Sequence, residues 1–151
     1  MKRVLFVCLG NICRSPMAEA ILRELLRQKG AADAFEIASA AISDEEWGNP
    51  IYPPAARILR VHGVPYDAFR TAHPMTVADY SHYDLIIGMD ESNLRGIRRI
   101  SGGDPGRKAR LLMDYAGQHR SVADPWYTRD FETAYNDIVT GCQALLKDLG
   151  L

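Results

Sequence analysis

The sequence predicts an α/β protein: a single domain of three layers, a central four-stranded parallel sheet with helices on both faces. Three observations predict it. Apolar runs of strand length alternate along the chain with amphipathic segments of helix length. The runs are continuously apolar rather than alternating, as strands buried on both faces are. The 151 residues suffice for one core, whereas halves would each be short of one, so the domain is assigned to residues 1–151.

The elements follow in order. Residues 3 to 8 (RVLFVC) read as a buried strand. Residues 15 to 29 (SPMAEAILRELLRQK) read as a helix, with Met17, Ala20, Ile21 and Leu25 on related faces and Leu22 and Leu26 widening the stripe. Ser15 and Pro16 open it and Gly30 closes it. Residues 35 to 41 (FEIASAA) form a second strand. Residues 53 to 62 form a helix opened by Pro53-Pro54 and stopped by Gly63, and Thr76 to Tyr80 a short helical piece. Residues 84 to 89 (DLIIGM) make a third strand, Ser92 to Ile100 a helix and Lys108 to Met113 a fourth strand. From Thr128 to Leu149, Phe131, Ala134, Tyr135, Ile138, Val139, Cys142, Leu145, Leu146 and Leu149 recur at three and four, which predicts the longest helix. In such a sheet a ligand sits outside the carboxyl ends of the strands. The residues after the first strand are therefore where a ligand is expected.

The formal net charge of −1, with 47% hydrophobic and 25% charged residues, gives no argument for nucleic acid or an anionic membrane as partner. The longest apolar stretches fall far short of the ~18 residues of a membrane span. The first run ends in Gly-Asn and a basic residue rather than in a cleavage site, so a cytoplasmic location is expected. Three unevenly spaced cysteines do not make a disulfide framework. Cys8 and Cys13 have no Cys or His pair at zinc spacing, so neither a metal nor a cofactor is expected. Cys142, inside a helical pattern, reads as a small buried hydrophobe.

The chemistry concentrates in VCLGNICRSP, residues 7 to 16. A strand–loop–helix turn leaves several N–H groups facing one concavity, and the helix dipole adds positive potential there. Gly10 permits backbone angles that other residues resist, and Asn11 tolerates a left-handed conformation. Arg14 adds a planar fork of donors suited to two phosphate oxygens. Cys8 lies at the floor of this cradle. Donors aimed at an anion also stabilise a thiolate, and the Ser15 hydroxyl is near enough in sequence to donate to the same sulfur. A thiolate inside a phosphate cradle is a nucleophile aimed at phosphorus. A loop that merely binds phosphate-bearing ligands is the competing reading, and it leaves the choice of cysteine over serine unexplained.

Transfer to sulfur expels an alkoxide or phenoxide, which calls for an acid. Asp124, in ADPWYTRD (123–130), is the candidate. Pro125 stiffens the chain after it. Trp126 and Tyr127 are adjacent loop aromatics able to line an entrance and stack on an aromatic substrate. The alternative is a turn and helix cap, the role assigned to Asp104-Pro105, which no aromatics follow.

These residues resemble the low-molecular-weight protein tyrosine phosphatases. The likeness runs nearly end to end and rests on VCLGNICRSPMAEA (7–20), SAAISDEEWGNP (39–50), HGVP (62–65), YDLIIGMDESNLR (83–95) and DPWY (124–127). The resemblance implies a two-step hydrolysis of phosphotyrosine in proteins without a metal. Cys8 is the nucleophile, Asp124 the acid and then the base. Arg14 and the N–H groups of Leu9, Gly10, Asn11, Ile12, Cys13 and Arg14 hold the phosphate oxygens, so a phosphate or sulfate ion is the simplest ligand of the loop. It further implies that Asn11 ties the cradle together with support from Ser39, and that Asp90 lies behind the loop or caps the next helix. Cys13 would form a reversible disulfide with Cys8, and Tyr127 is open to phosphorylation. Two departures stand out. Arg70 takes the place of a family histidine, leaving His73 without a role. Glu45 stands where the family presents an aromatic, so Trp47 either walls the pocket or packs. Bacterial relatives suggest, by analogy, a tyrosine kinase as substrate. A protein arginine phosphatase is the alternative on this fold, though relatives with that activity have threonine where this chain has Ile12. An arsenate reductase needs two further cysteines, and only Cys142 remains.

Overall fold

The computed structural model describes residues 1–151. Four parallel strands, β1 (Lys2–Cys8), β2 (Phe35–Ala41), β3 (Leu85–Gly88) and β4 (Ala109–Leu111), lie in the order β2-β1-β3-β4. The register pairs Cys8 with Ala41, Val7 with Gly88, and Gly88 with Leu111. The strand ends therefore share one edge of the sheet, with Cys8 at its centre.

Six helices cover the sheet: α1 (Arg14–Gln28), α2 (Pro53–Val61), α3 (Val77–His82), α4 (Glu91–Ser101), α5 (Pro125–Thr128) and α6 (Phe131–Asp148). The strand period of two splits β1 between two cores. Val4, Phe6 and Cys8 join a large cluster with Met17, Ile21 and Leu22 of α1, Leu59 of α2 and Ile138, Cys142 and Leu145 of α6. Leu5 and Val7 face the other way, onto Tyr80 of α3 and Leu94 and Ile97 of α4. This is the predicted three-layer α/β fold. No helix is long and apolar enough to cross a membrane.

Two elements differ from expectation. The fourth strand stops at Leu111 and gives way to a 3₁₀ turn over Leu112–Ala116. Leu112 and Met113 are apolar because that turn is buried, not because the strand continues. The long C-terminal helix does not begin at residue 128. Arg129 adopts a left-handed φ of 62° and ends the single turn of α5. Asp130 then starts α6 afresh by accepting from the Thr133 amide. A local cap thus overrides the apolar period at this point.

The packing of α6 on the 3₁₀ turn requires a residue without a side chain. A Cβ on Gly141 would stand 2.5 Å from Leu112 Cγ, and Leu112 is fully buried and has nowhere to retreat. Gly141→Ala gains helix propensity of about 1 kcal/mol but overpacks the core by roughly 1–3 kcal/mol. The expected outcome is a lower urea midpoint with an unchanged m-value, checked by chemical denaturation.

Candidate active site

β1 ends at Cys8 and α1 begins at Arg14, so residues 9 to 13 must reverse the chain. Asn11 makes this possible with φ 57°, a left-handed angle that asparagine tolerates. The loop's carbonyls point to the scaffold. Cys8 and Leu9 accept from the Ile42 and Ser43 amides, Ile12 from Tyr52, and Cys13 from Met17. None of the amides of residues 9 to 13 donates to a carbonyl of the protein. The loop amides are thereby left without a protein partner, beside the cleft that Cys8, Leu9, Gly10, Ile12, Cys13 and Arg14 line.

Cys8 is 4% exposed, at the cleft floor. Its Sγ lies 3.0 Å from Ser15 Oγ. The direction of that bond follows from the neighbours. Asn11 Nδ2 donates to Ser15 Oγ (2.8 Å) and to Ser39 Oγ (3.0 Å), while Ser39 donates to Glu19 Oε1 (2.7 Å). Ser15 Oγ thus accepts a hydrogen bond from Asn11 and has its own hydroxyl hydrogen to donate to the sulfur. Asn11 Oδ1 in turn accepts from Arg70 Nη2 (2.5 Å) and from the His73 amide (3.3 Å). Arg70 therefore does hold the cradle from behind, whereas His73 contributes its backbone. Burial lowers the Arg70 pKa from its ordinary value despite the opposing pull of Glu19 and Cys8.

Arg14 is fixed at both ends of its fork. Nη1 donates to the Val122 carbonyl (3.0 Å), and Nη2 donates to Asp90 Oδ2 (2.7 Å) and stands 3.4 Å from Asp124 Oδ2. Burial alone would lower its pKa, but the charges of Cys8, Asp90 and Asp124 outweigh that and raise it. Asp90 makes two contacts with different oxygens. One oxygen meets Arg14, and the other accepts from the Asn93 amide and caps α4.

The Asp90 carboxyl is held below its ordinary range: burial pushes it up, but the bonds from Arg14 and Asn93 prevail. With a depressed folded value, the unfolded chain binds the proton first as pH falls. The pair's stabilisation is complete above pH of about 4 and is lost as pH drops through the folded value. Urea midpoints measured from about pH 7 to about pH 3 should fall below about pH 4, and Asp90→Asn should both lower the neutral value and flatten that fall.

The opposite wall comes from α5. Asp124 Oδ1 accepts from the Trp126 amide at 3.0 Å, so it is the cap of that turn, while its other oxygen faces Arg14. Trp126 packs on Tyr52 with ring centroids 5.1 Å apart. Tyr127 is 80% exposed, and both aromatics line the cleft.

Several predicted residues stand elsewhere. Asn11 and Ser15 are fully buried beneath the cleft, so their side chains build the cradle rather than touch its contents. Trp47 does not line the cleft and is 67% exposed. The tight turn after Ser43, closed by Glu45 N to Ser43 Oγ and Trp47 N to Asp44 O, presents Glu45 and Glu46 to the cleft and carries Trp47 past it. Asn49 Nδ2 holds the Glu46 carboxylate at 2.6 Å. Cys13 lines the cleft as a free thiol whose pKa is pushed up by burial and by the neighbouring Cys8. Burial does the same to Cys142. Sequence reading missed Glu19 and Glu46; an acidic residue on the buried side of α1 was the available signal for the first.

A sheet-edge loop after β1 gathers the Cys8 thiol, the Arg14 guanidinium and amides without a protein partner, and it defines the class of the molecule as an α/β protein with a cleft at the carboxyl ends of its parallel strands. The family model described as "Low molecular weight phosphotyrosine protein phosphatase" matches residues 3–150. The chain is 40% identical over 151 residues to the low-molecular-weight protein-tyrosine-phosphatase YfkJ of Bacillus subtilis, covering 99% of this chain and 96% of that one. The YfkJ crystal structure superposes with a TM-score of 0.94 over 99% and 95% of the two chains. The human low-molecular-weight phosphotyrosine protein phosphatase is 41% identical over 151 residues, 97% of this chain and 94% of its own. A Drosophila arginine phosphatase is 30% identical with a TM-score of 0.89, over 100% and 99% of the chains. The chain belongs to the low-molecular-weight phosphotyrosine protein phosphatase family. It is accordingly an enzyme, a hydrolase acting on phosphotyrosine.

Proposed function

We propose that residues 1–151 form a phosphatase domain that hydrolyses phosphotyrosine in proteins through a phosphocysteine on Cys8. The observation that carries this is one cleft with Cys8 at its floor, Arg14 beside it and Asp124 on the wall. In the first step Cys8 Sγ attacks phosphorus. An S–P bond forms, the P–O bond to the phenol breaks, and the Asp124 proton goes to the leaving oxygen. In the second step Asp124 takes a proton from water. The water oxygen attacks phosphorus, the S–P bond breaks, and phosphate and the thiolate are released. Arg14 and the amides of residues 9 to 14 stabilise the charge on the non-bridging oxygens in both steps. These residues supply every proton and electron pair required, so EDTA is expected to leave turnover intact. Tyrosine-phosphorylated proteins in the cytoplasm, a tyrosine kinase among them, are the substrates this reading favours.

A deep thiol selects a long side chain, and the apolar wall of Leu9, Ile12, Trp126 and Tyr127 suits a phenyl ring. One observation favours phosphoarginine as a second substrate: the Glu45 and Glu46 carboxylates on the rim would attract a guanidinium. The deciding experiment is kcat/KM on one peptide carrying phosphotyrosine, phosphoserine or phosphoarginine. Phosphotyrosine is expected to lead by at least about tenfold, roughly 1.4 kcal/mol of transition-state discrimination. A lead for phosphoarginine overturns the tyrosine reading. Among phosphotyrosine peptides, Lys or Arg neighbours should be preferred to Asp or Glu, and salt should narrow the gap.

A further inference from the structure

Asp124 is delivered to the cleft by residues 120 to 123, which have no regular secondary structure. This segment is held by its backbone. The Val122 amide donates to the Met89 carbonyl beyond β3 (2.9 Å), and the Val122 carbonyl accepts from Arg14 (3.0 Å). The last tie comes from α6. Asp137, whose side chain is only 12% exposed, accepts the Ala123 amide on Oδ2 at 3.0 Å. The same carboxylate takes both arms of Arg120, Nη1 to Oδ2 at 3.0 Å and Nη2 to Oδ1 at 2.8 Å. Arg120 Nη1 also donates to the Ser121 carbonyl at 3.0 Å. One carboxylate on a rigid helix therefore fixes both ends of the run that precedes Asp124.

We propose that Asp137 is a positioning residue for the acid–base step: its grip on Ala123 and Arg120 sets where the Asp124 carboxyl stands relative to the leaving oxygen. The proposal rests on the reading of Asp124 as the acid and base. The bond from Arg120 is the main reason that the Asp137 carboxyl is held below its ordinary range, with burial opposing it, so it keeps its charge at neutral pH. The lever is large because misplacing a reacting group by about 1 Å costs on the order of 10²-fold in rate. The cradle shares one tie with this segment, Arg14 to the Val122 carbonyl, but Val122 is anchored separately on Met89 and Arg14 on Asp90, so the cradle is left in place.

The test compares leaving groups. Asp137→Ala should lower kcat/KM on phenyl phosphate by roughly 10–100-fold, but on 2,4-dinitrophenyl phosphate, whose phenoxide leaves without a proton, by less than about threefold. The inhibition constant for inorganic phosphate should stay within about threefold, because Arg14 keeps its bond to Asp90 and the Val122 carbonyl it also reaches keeps its own anchor on Met89. In an Asp124→Ala background the second substitution should add nothing, since there is no longer a carboxyl to place. Thermal melts report folding. Should Asp137→Ala fail to fold, Asp137→Asn, which keeps one acceptor for Ala123, and Arg120→Gln carry the same comparison with smaller losses of the same pattern. Equal losses on both esters, a parallel weakening of phosphate binding, or full additivity with Asp124→Ala would overturn the positioning role. If Asp124→Ala itself showed no dependence on the leaving group, the acid–base reading would fall, and this proposal with it.

Discussion

Cys8→Ser should abolish turnover of p-nitrophenyl phosphate and of phosphotyrosine peptides while leaving the cradle able to bind phosphate. The loss expected for removing a covalent nucleophile is roughly 10⁴-fold or more in kcat. Serine differs from cysteine by one atom, so packing under the 4%-exposed side chain changes little. What changes is the attacking group. In the proposed mechanism the attacking group is sulfur, a far better nucleophile than a hydroxyl oxygen, and the Ser15 hydroxyl, the Arg14 guanidinium and the start of α1 stand around it. A serine oxygen in the same place keeps its proton, because the side chain bonded to it is the Ser15 hydroxyl, which is no base. The Ser15 oxygen already accepts from Asn11. Binding is separable from attack, since Arg14 and the amides of residues 9 to 13 do not pass through the sulfur. Calorimetric titration with inorganic phosphate should therefore give a similar affinity for both proteins. Residual turnover in Cys8→Ser above about one hundredth of the parent would remove the sulfur from the mechanism.

How much of this was legible in the chain depends on how local the physics is. Cys8, Arg14 and the strand–helix turn between them lie within seven positions, so the chemistry and the fold that presents it are written together. The alternation of buried strands and amphipathic helices gave the layers because each element's pattern is set by its own burial. The aromatic neighbours of Asp124 marked it as a candidate acid; the structure shows one of its oxygens capping α5 and the other facing Arg14 in the cleft, so the cap leaves an oxygen free for the proposed role. Trp47 shows the limit. Side-chain direction in a tight turn depends on which amides close it, and hydrogen bonds from Glu45 and Trp47 rotate the acids, not the indole, toward the cleft. Asp137 lies deeper still. It is an ordinary polar residue whose proposed role comes from a partner 14 positions away, and no local pattern marks such a pairing.

The second large effect concerns Asp124, and its two roles can be separated by asparagine. Asp124→Asn keeps an oxygen to accept the Trp126 amide, so α5 should survive; loss of such a cap altogether costs about 1 kcal/mol. The variant cannot carry the proton. Turnover of phenyl phosphate should fall by roughly 10²–10⁴-fold, the range for a lost general acid, while 2,4-dinitrophenyl phosphate should form the phosphocysteine at nearly the parent rate. The second step still needs a base, however, so with the activated ester the intermediate should accumulate. A rapid-mixing burst of one phenolate per protein, followed by a slow steady rate, is the expected signature. Asp124→Ala should reproduce the kinetics and add the lost cap, visible as a lower melting temperature. The neighbouring charge makes a further distinction. Arg14 Nη2 stands between Asp90 at 2.7 Å and Asp124 at 3.4 Å, so removing the second carboxylate leaves the guanidinium paired with the first and still directed at the cleft. Phosphate affinity should therefore hold in Asp124→Asn, because the guanidinium and the loop amides proposed to bind it are kept. Uniform slowing of both esters without a burst would assign Asp124 to the turn alone and require the leaving-group proton to come from elsewhere in the cleft.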